Sequence, residues 1–86
     1  MSEPLALHRG HVALLGVFRE QTEANATVRN GTVHFDGHSQ DFLISWYNDL
    51  KGRGLIHAED WVGRTGAKLG EKVSLTEEGQ AALQRI

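Results

Sequence analysis

The chain predicts a small α+β domain in which helices are interrupted by short antiparallel strands. Three observations carry that expectation. Leu7, His11, Leu14, Leu15 and Phe18 recur at the 3.6-residue spacing of a helix face. Asn30-Gly31 separates two β-branched and aromatic runs, the strongest short hairpin signal, because both turn residues must take positive φ. Two further strand-like runs flank a Gly-rich segment, Gly63 to Gly70, and the second run leads into Leu75-Thr76-Glu77-Glu78-Gly79.

Taken in order, residues 5–22 read as the first helix, with Pro4 tolerated in its first turn and Ser2 or Glu3 in the cap region. Gly10 and Gly16 each cost about 1 kcal/mol against Ala in a helix interior, which suggests close approach of another backbone, or Gly10 as the true start of the helix. Thr27-Val28-Arg29 and Thr32-Val33-His34-Phe35 form the hairpin, ended by Asp36-Gly37. A second helix is expected over 39–52. Ser39 is its N-cap, and Gln40 and Asp41 sit in its first turn. Leu43, Trp46, Tyr47 and Leu50 form its apolar face, and Gly52 or Gly54 is its stop. Leu55 to Val62 and Lys72 to Leu75 are strands, the latter alternating Val73 and Leu75 with Lys72 and Ser74. Thr76 caps the last helix, whose apolar side holds Ala81, Ala82, Leu83 and Ile86.

Eighty-six residues form one domain, 1–86, with no internal repeat or linker. A chain of this size buries only about 60% of the surface its unfolded form exposes, so a homodimer is expected as a source of further burial. There is no cysteine, which excludes disulfides and thiolate metal sites. No apolar run approaches the length of a membrane span, and Met1-Ser2-Glu3-Pro4 does not begin a signal peptide, so the expectation is a cytoplasmic protein. The net charge of −2 argues against indiscriminate nucleic-acid binding. Only residues 51–72 are positive: Lys51, Arg53, Arg64, Lys68 and Lys72 outnumber Glu59, Asp60 and Glu71.

Residues 50–83 resemble the winged-helix regulators of the MarR and PadR type. The resemblance lies in Leu50-Lys51-Gly52-Arg53-Gly54-Leu55-Ile56, which matches the run from a recognition helix into a strand. It continues in a hairpin wing and in Leu75-Thr76-Glu77-Glu78-Gly79. It covers about 40% of the chain. It implies a winged helix-turn-helix-like fold, with an extra small β element before the second long helix, where the family places a short helix and tight turn. It also implies a small DNA-binding transcriptional regulator acting on double-stranded DNA, with Ser39 to Lys51 as recognition helix and Gly63 to Gly70 as wing tip. Gln40, Ser45 and Asn48 are the residues suited to base edges, and Lys51, Arg53, Arg64, Thr65 and Lys68 to phosphates. Asp41 and Asp49 in the same helix would repel phosphates. The alternative is therefore a winged-helix protein-protein interaction module, binding through that acidic face or through Thr27 to Gly37.

The remaining chemistry is sparse. His8 with His11, and His34 with His38, are pairs whose spacing does not force three or four metal ligands together. Ser39, His38 and Asp41 lie at a helix start, where capping accounts for Ser39. Gly63 to Gly70 lacks the P-loop order of glycines and lysine. Neither an enzyme, a metal nor a cofactor is expected.

Overall fold

The structure, a computed structural model, describes residues 9–85. The parts of the first-helix reading that fall on Ser2, Glu3, Pro4, Leu7 and His8, and the reading of Ile86, lie outside these residues. The architecture is α+β, with three α-helices and a five-stranded antiparallel sheet. Its order is α1 (Arg9–Leu15), β1 (Glu23–Arg29), β2 (Thr32–Phe35), β3 (Asp41–Leu43), α2 (Ile44–Gly52), β4 (Ile56–Val62), β5 (Lys68–Leu75) and α3 (Glu77–Gln84). The strands lie in the order β3-β2-β1-β5-β4.

The helices cover one face of the sheet. Ala24, Ala26, Val33, Phe35, Phe42, Ile56 and Val73 point into that face and are buried, together with Leu14, Leu15, Phe18, Tyr47, Leu50 and Ala82 from the other elements. The opposite face, with Thr27, His34, Asp41, Glu59 and Lys72, is polar and open to solvent. Phe35 is the centre of the core. The rings of Phe18, Phe42 and Tyr47 meet it edge-on at 5.9, 5.9 and 6.2 Å. Such pairs add about 0.5–1.5 kcal/mol each beyond area burial.

The first helix is shorter than its periodicity predicts. It tightens at Gly16 into a 3-10 turn, Gly16–Phe18, and residues 19–22 leave the helix altogether. With three residues per turn, Leu15 and Phe18 fall on the same side, and both are buried. His11 lies on the apolar face as expected and is only 5% exposed. Gly10 marks a close approach by a side chain rather than a backbone: a Cβ there would overlap the indole ring of Trp46.

The second helix starts five residues later than predicted. Ser39 is not its N-cap, and Gln40 and Asp41 are not in it. Instead, Asp41–Leu43 pairs with β2 in the register Val33↔Phe42, which places Phe42 in the core beside Phe35. Burying an aromatic side chain outweighs a favourable cap, which is worth about 1 kcal/mol. Leu43 takes the N-cap position without a side-chain bond, and the amide of Ile44 donates instead to the Gly31 carbonyl at 2.8 Å.

The helix ends as its glycines predict. Gly54 has φ +75°, its amide donates to the Lys51 carbonyl at 3.1 Å, and the Leu55 amide donates to the Leu50 carbonyl at 3.0 Å. That pair of bonds is the Schellman stop. The Asn30-Gly31 turn also forms as predicted, with φ of 49° and 82°.

The Leu-Thr-Glu-Glu-Gly run acts through one clamp. Thr76 Oγ accepts from the Gly79 amide at 2.9 Å and donates to the Gly54 carbonyl at 2.6 Å. The Thr76 amide donates to the Leu55 carbonyl at 3.2 Å. A Cβ on Gly79 would overlap that same Leu55 carbonyl and lie 2.7 Å from Leu75 Cδ1. Thr76 and Gly79 therefore dock α3 on the turn that ends α2, as well as starting a helix.

Candidate nucleic-acid interface

Strand directions decide which candidate residues share an end of the molecule. β1 runs toward the Asn30-Gly31 turn. β5 is antiparallel to β1, with Glu23↔Ser74 and Ala26↔Glu71, so the β4–β5 turn lies at the same end. β3 runs the same way as β1, through His34↔Asp41 to Thr32↔Leu43, so α2 begins at that end too, tied to Gly31. It finishes at the opposite end, where Ile56 pairs with Leu75. The two hairpin turns and the start of α2 thus form one end. The other end holds Arg53 with Glu23, Asp36, Glu77 and Glu78.

The two hairpins diverge as they approach their turns. Between Trp61↔Gly70 and Val62↔Lys68 the β4–β5 register slips, leaving Leu69 as an extra residue. A bulge of this kind bends and twists its strand. The β1–β5 ladder stops at Ala26↔Glu71. Beyond it opens a groove lined by Thr27, Val28, Lys68, Leu69, Gly70 and Glu71. At its root Gly70 is required: a Cβ would overlap the Ala26 carbonyl and lie 3.3 Å from Trp61 Cε3. The β4–β5 turn is closed by the Gly63 amide donating to the Ala67 carbonyl at 2.9 Å and the Gly66 amide to the Gly63 carbonyl at 3.0 Å. Gly66 takes φ +84°. Arg64 and Thr65 are exposed on this turn.

The predicted site residues separate into four groups. Ser45 and Asn48 are exposed on α2, and Arg64 and Thr65 sit at the hairpin turn. Gln40 is exposed but precedes β3, off the helix. Lys51 and Arg53 belong to the far end of α2, with Arg53 as its C-cap and the Lys51 ammonium 4.6 Å from the Tyr47 ring centre. Lys68 is not in the loop. It opens β5, which begins four residues before the predicted Lys72, and it is engaged by Asp60 at 3.3 Å and Glu71 at 3.4 Å. The hydrogen bond to Asp60, with the charges of both carboxylates, raises its pKa above the usual lysine value.

The carboxylates predicted to oppose DNA are also placed differently. Asp41 lies on β3 and meets His34 Nδ1 across the strand pair at 2.7 Å. Asp49 does lie on α2 but is engaged by the buried His11, Nε2 to Oδ2 at 3.1 Å. His38 is bonded to Gln21 at 3.3 Å, and Ser39 is exposed.

One interaction had no counterpart in the sequence reading. The hydroxyl of the fully buried Tyr47 donates to Glu71 Oε1. Burial, then the hydrogen bond and charge of Glu71, push the phenol pKa well above its ordinary value, so the group stays neutral. The only sequence signal for this bond is Glu71 interrupting the apolar alternation of β5.

Among the described residues, no His, Cys, Asp or Glu side chains group in threes to hold a metal ion. No helix among them is long and apolar enough to cross a membrane. No protein-family model, curated protein or solved structure matches the chain.

Proposed function

We propose that the protein is a small DNA-binding protein of winged-helix type, a transcriptional regulator rather than an enzyme. In this reading α2 enters a groove of duplex DNA and the β4–β5 hairpin is the wing. The observation that carries it is the shared end: α2 begins beside the Asn30-Gly31 turn, at the same end of the sheet as the turn that presents Arg64 and Thr65. The order α2, hairpin, α3, with the Schellman stop and the Thr76 clamp, supports the winged-helix part. The β1–β2–β3 meander stands where a short helix would precede the recognition helix.

The placement of Asp41 and Asp49 supports the same reading. The exposed side of α2 near its start carries Ser45 and Asn48, with Asp41 on the sheet and Asp49 engaged by His11. The interface of this proposal is Ser45 and Asn48 toward bases, with Arg64 and Thr65 toward phosphate. It excludes Lys51 and Arg53 at the far end, Lys68 in its ion pairs, and Gln40 off the helix. Two-fold antiparallel pairing of β4 edges centred on this pair would set Glu59 against Asp60 of the other copy, which disfavours that edge for a homodimer.

Fluorescence anisotropy with a short labelled duplex at low salt tests this reading. Binding with a Kd of about 10⁻⁶ to 10⁻⁴ M, weakening steeply with salt, is expected even for a non-cognate sequence. No binding at tens of micromolar protein removes the proposal.

A second reading, a protein-interaction module, rests on a different observation. Val28, Val62 and Leu69 are 45%, 52% and 52% exposed beside the groove between the hairpins. Should DNA binding fail, Val28→Asp and Leu69→Asp are the variants expected to abolish capture of a partner.

A further inference from the structure

Within the DNA-binding reading, on which this step rests, the structure offers a second contact outside the wing. We propose that the Asn30-Gly31 turn is a second prong, and that Arg29 and Arg64 hold phosphates on either side of one groove of duplex DNA.

The placement comes from strand register. Arg29 is the last residue of β1 and is exposed. It pairs with Thr32 across the turn, and the Thr32 hydroxyl donates to its carbonyl at 2.9 Å, so its backbone position is set. The turn is tied to α2 through the bond from the Ile44 amide to Gly31. Arg29 follows Thr27 onto the open face of the sheet, opposite α2, so a contact there would be fixed relative to Ser45 and Asn48 but reached round the Asn30-Gly31 end.

Charge favours the same end. Residues 27–34 contain Arg29 and no carboxylate, and residues 61–70 contain Arg64 and Lys68 and no carboxylate. Asp36 and Asp41 share a shallow pocket with Arg29 on the open face, where Asp41 is engaged by His34. Asp60 and Glu71, just behind the β4–β5 turn, are engaged by Lys68. The acidic residues Glu23, Asp36, Glu77 and Glu78 lie at the opposite end.

The separation suits a duplex. Neighbouring strands are about 4.8 Å apart, and the two hairpin centres are two spacings apart, so the prongs are about 10 Å apart at their root. The bulge at Leu69 then spreads them further. The major groove of B-DNA is about 12 Å wide. A single polyanionic strand would leave one prong unused, whereas a duplex offers phosphates to both.

The test is the salt dependence of duplex binding for the full-length wild type and for Arg29→Ala, Arg29→Lys, Arg64→Ala and Arg53→Ala. Each phosphate contact contributes about 0.9 to the slope of log K against log salt, so losing one changes the affinity ratio between 50 and 200 mM salt by about 3-fold. Arg29→Ala and Arg64→Ala are each expected to lower the slope by that amount, Arg29→Lys to keep it, and Arg53→Ala to leave it unchanged. If wild type binds but Arg29→Ala keeps the full slope, the second prong is wrong while the wing reading stands. If Arg53→Ala lowers the slope and Arg29→Ala does not, DNA docks at the other end and the inference is overturned. If wild type does not bind, the DNA reading itself falls, and this inference with it.

Discussion

Replacing Gly79 by Ala tests whether α3 is docked as the structure describes. Helix propensity alone favours Ala over Gly by about 1 kcal/mol. Against that gain, the new methyl would overlap the Leu55 carbonyl, a backbone atom held by the Thr76 amide and by the turn that ends α2. A flexible side chain could move aside, but this carbonyl cannot. Relief requires α3 to lift, which stretches the two bonds from Thr76 to the Gly54 and Leu55 carbonyls. At about 1 kcal/mol each, their loss exceeds the propensity gain, for a net destabilisation of about 1 kcal/mol. In a domain of this size, that is a fall in Tm of about 4–8 °C. Gly52→Ala is the matched control. Gly52 is the last residue of α2, its φ is not positive, and a Cβ there meets nothing within 4 Å. The same substitution should raise stability by about 0.4–1 kcal/mol. Urea denaturation of both variants measures the two signs. A Gly79→Ala protein as stable as wild type would refute the close docking of α3.

Two further predictions concern the core, beside the binding tests above. Tyr47 is the chain's only tyrosine, so tyrosinate absorbance reports it directly. Its folded pKa is raised, so its contribution is full below the unfolded value of about 10 and is lost as pH rises beyond it. Stability should fall above about pH 10 with a slope approaching 1.4 kcal/mol per pH unit, Lys68 adding in the same direction. Tyr47→Phe should remove the tyrosine part, and tyrosinate forming near pH 10 in the folded protein would contradict the buried bond to Glu71. Phe35→Ala should cost about 3–5 kcal/mol, since the residue is fully buried among three rings. The expected readout is a fall in Tm of about 12–40 °C.

The elements legible in the sequence were those specified by neighbouring residues. Asn30-Gly31 marks its turn because the two residues themselves accept positive φ. Gly54 ends α2 and Thr76 begins α3 through bonds that span only a few residues. The errors fell where distant partners compete with local preference. Ser39-Gln40-Asp41 has good capping chemistry, yet Asp41–Leu43 became a strand because β2 offers Phe42 a place beside Phe35. Lys72 to Leu75 alternates like a strand, but β5 begins at Lys68 because β4 supplies hydrogen bonds that far, across a bulge.

The candidate site divides along the same line. Residue order by itself determined that Arg64 and Thr65 sit on a glycine-bounded turn and that a helix precedes that hairpin. Tertiary structure alone decided which charges face outward and which end of the molecule they share. Lys68 reads in the sequence as a loop cation, and Asp41 as a helix acid. Their partners, Asp60 with Glu71 and His34, are chosen by strand register. Lys51 and Arg53 are close to the β4–β5 hairpin in sequence and at the far end of α2 in space. Arg29 is far from that hairpin in sequence and ends a strand whose turn lies at the same end as the hairpin's own. Chain connectivity specifies neighbours a few residues apart, whereas an antiparallel sheet specifies neighbours by direction and register, and a surface is made of the second kind.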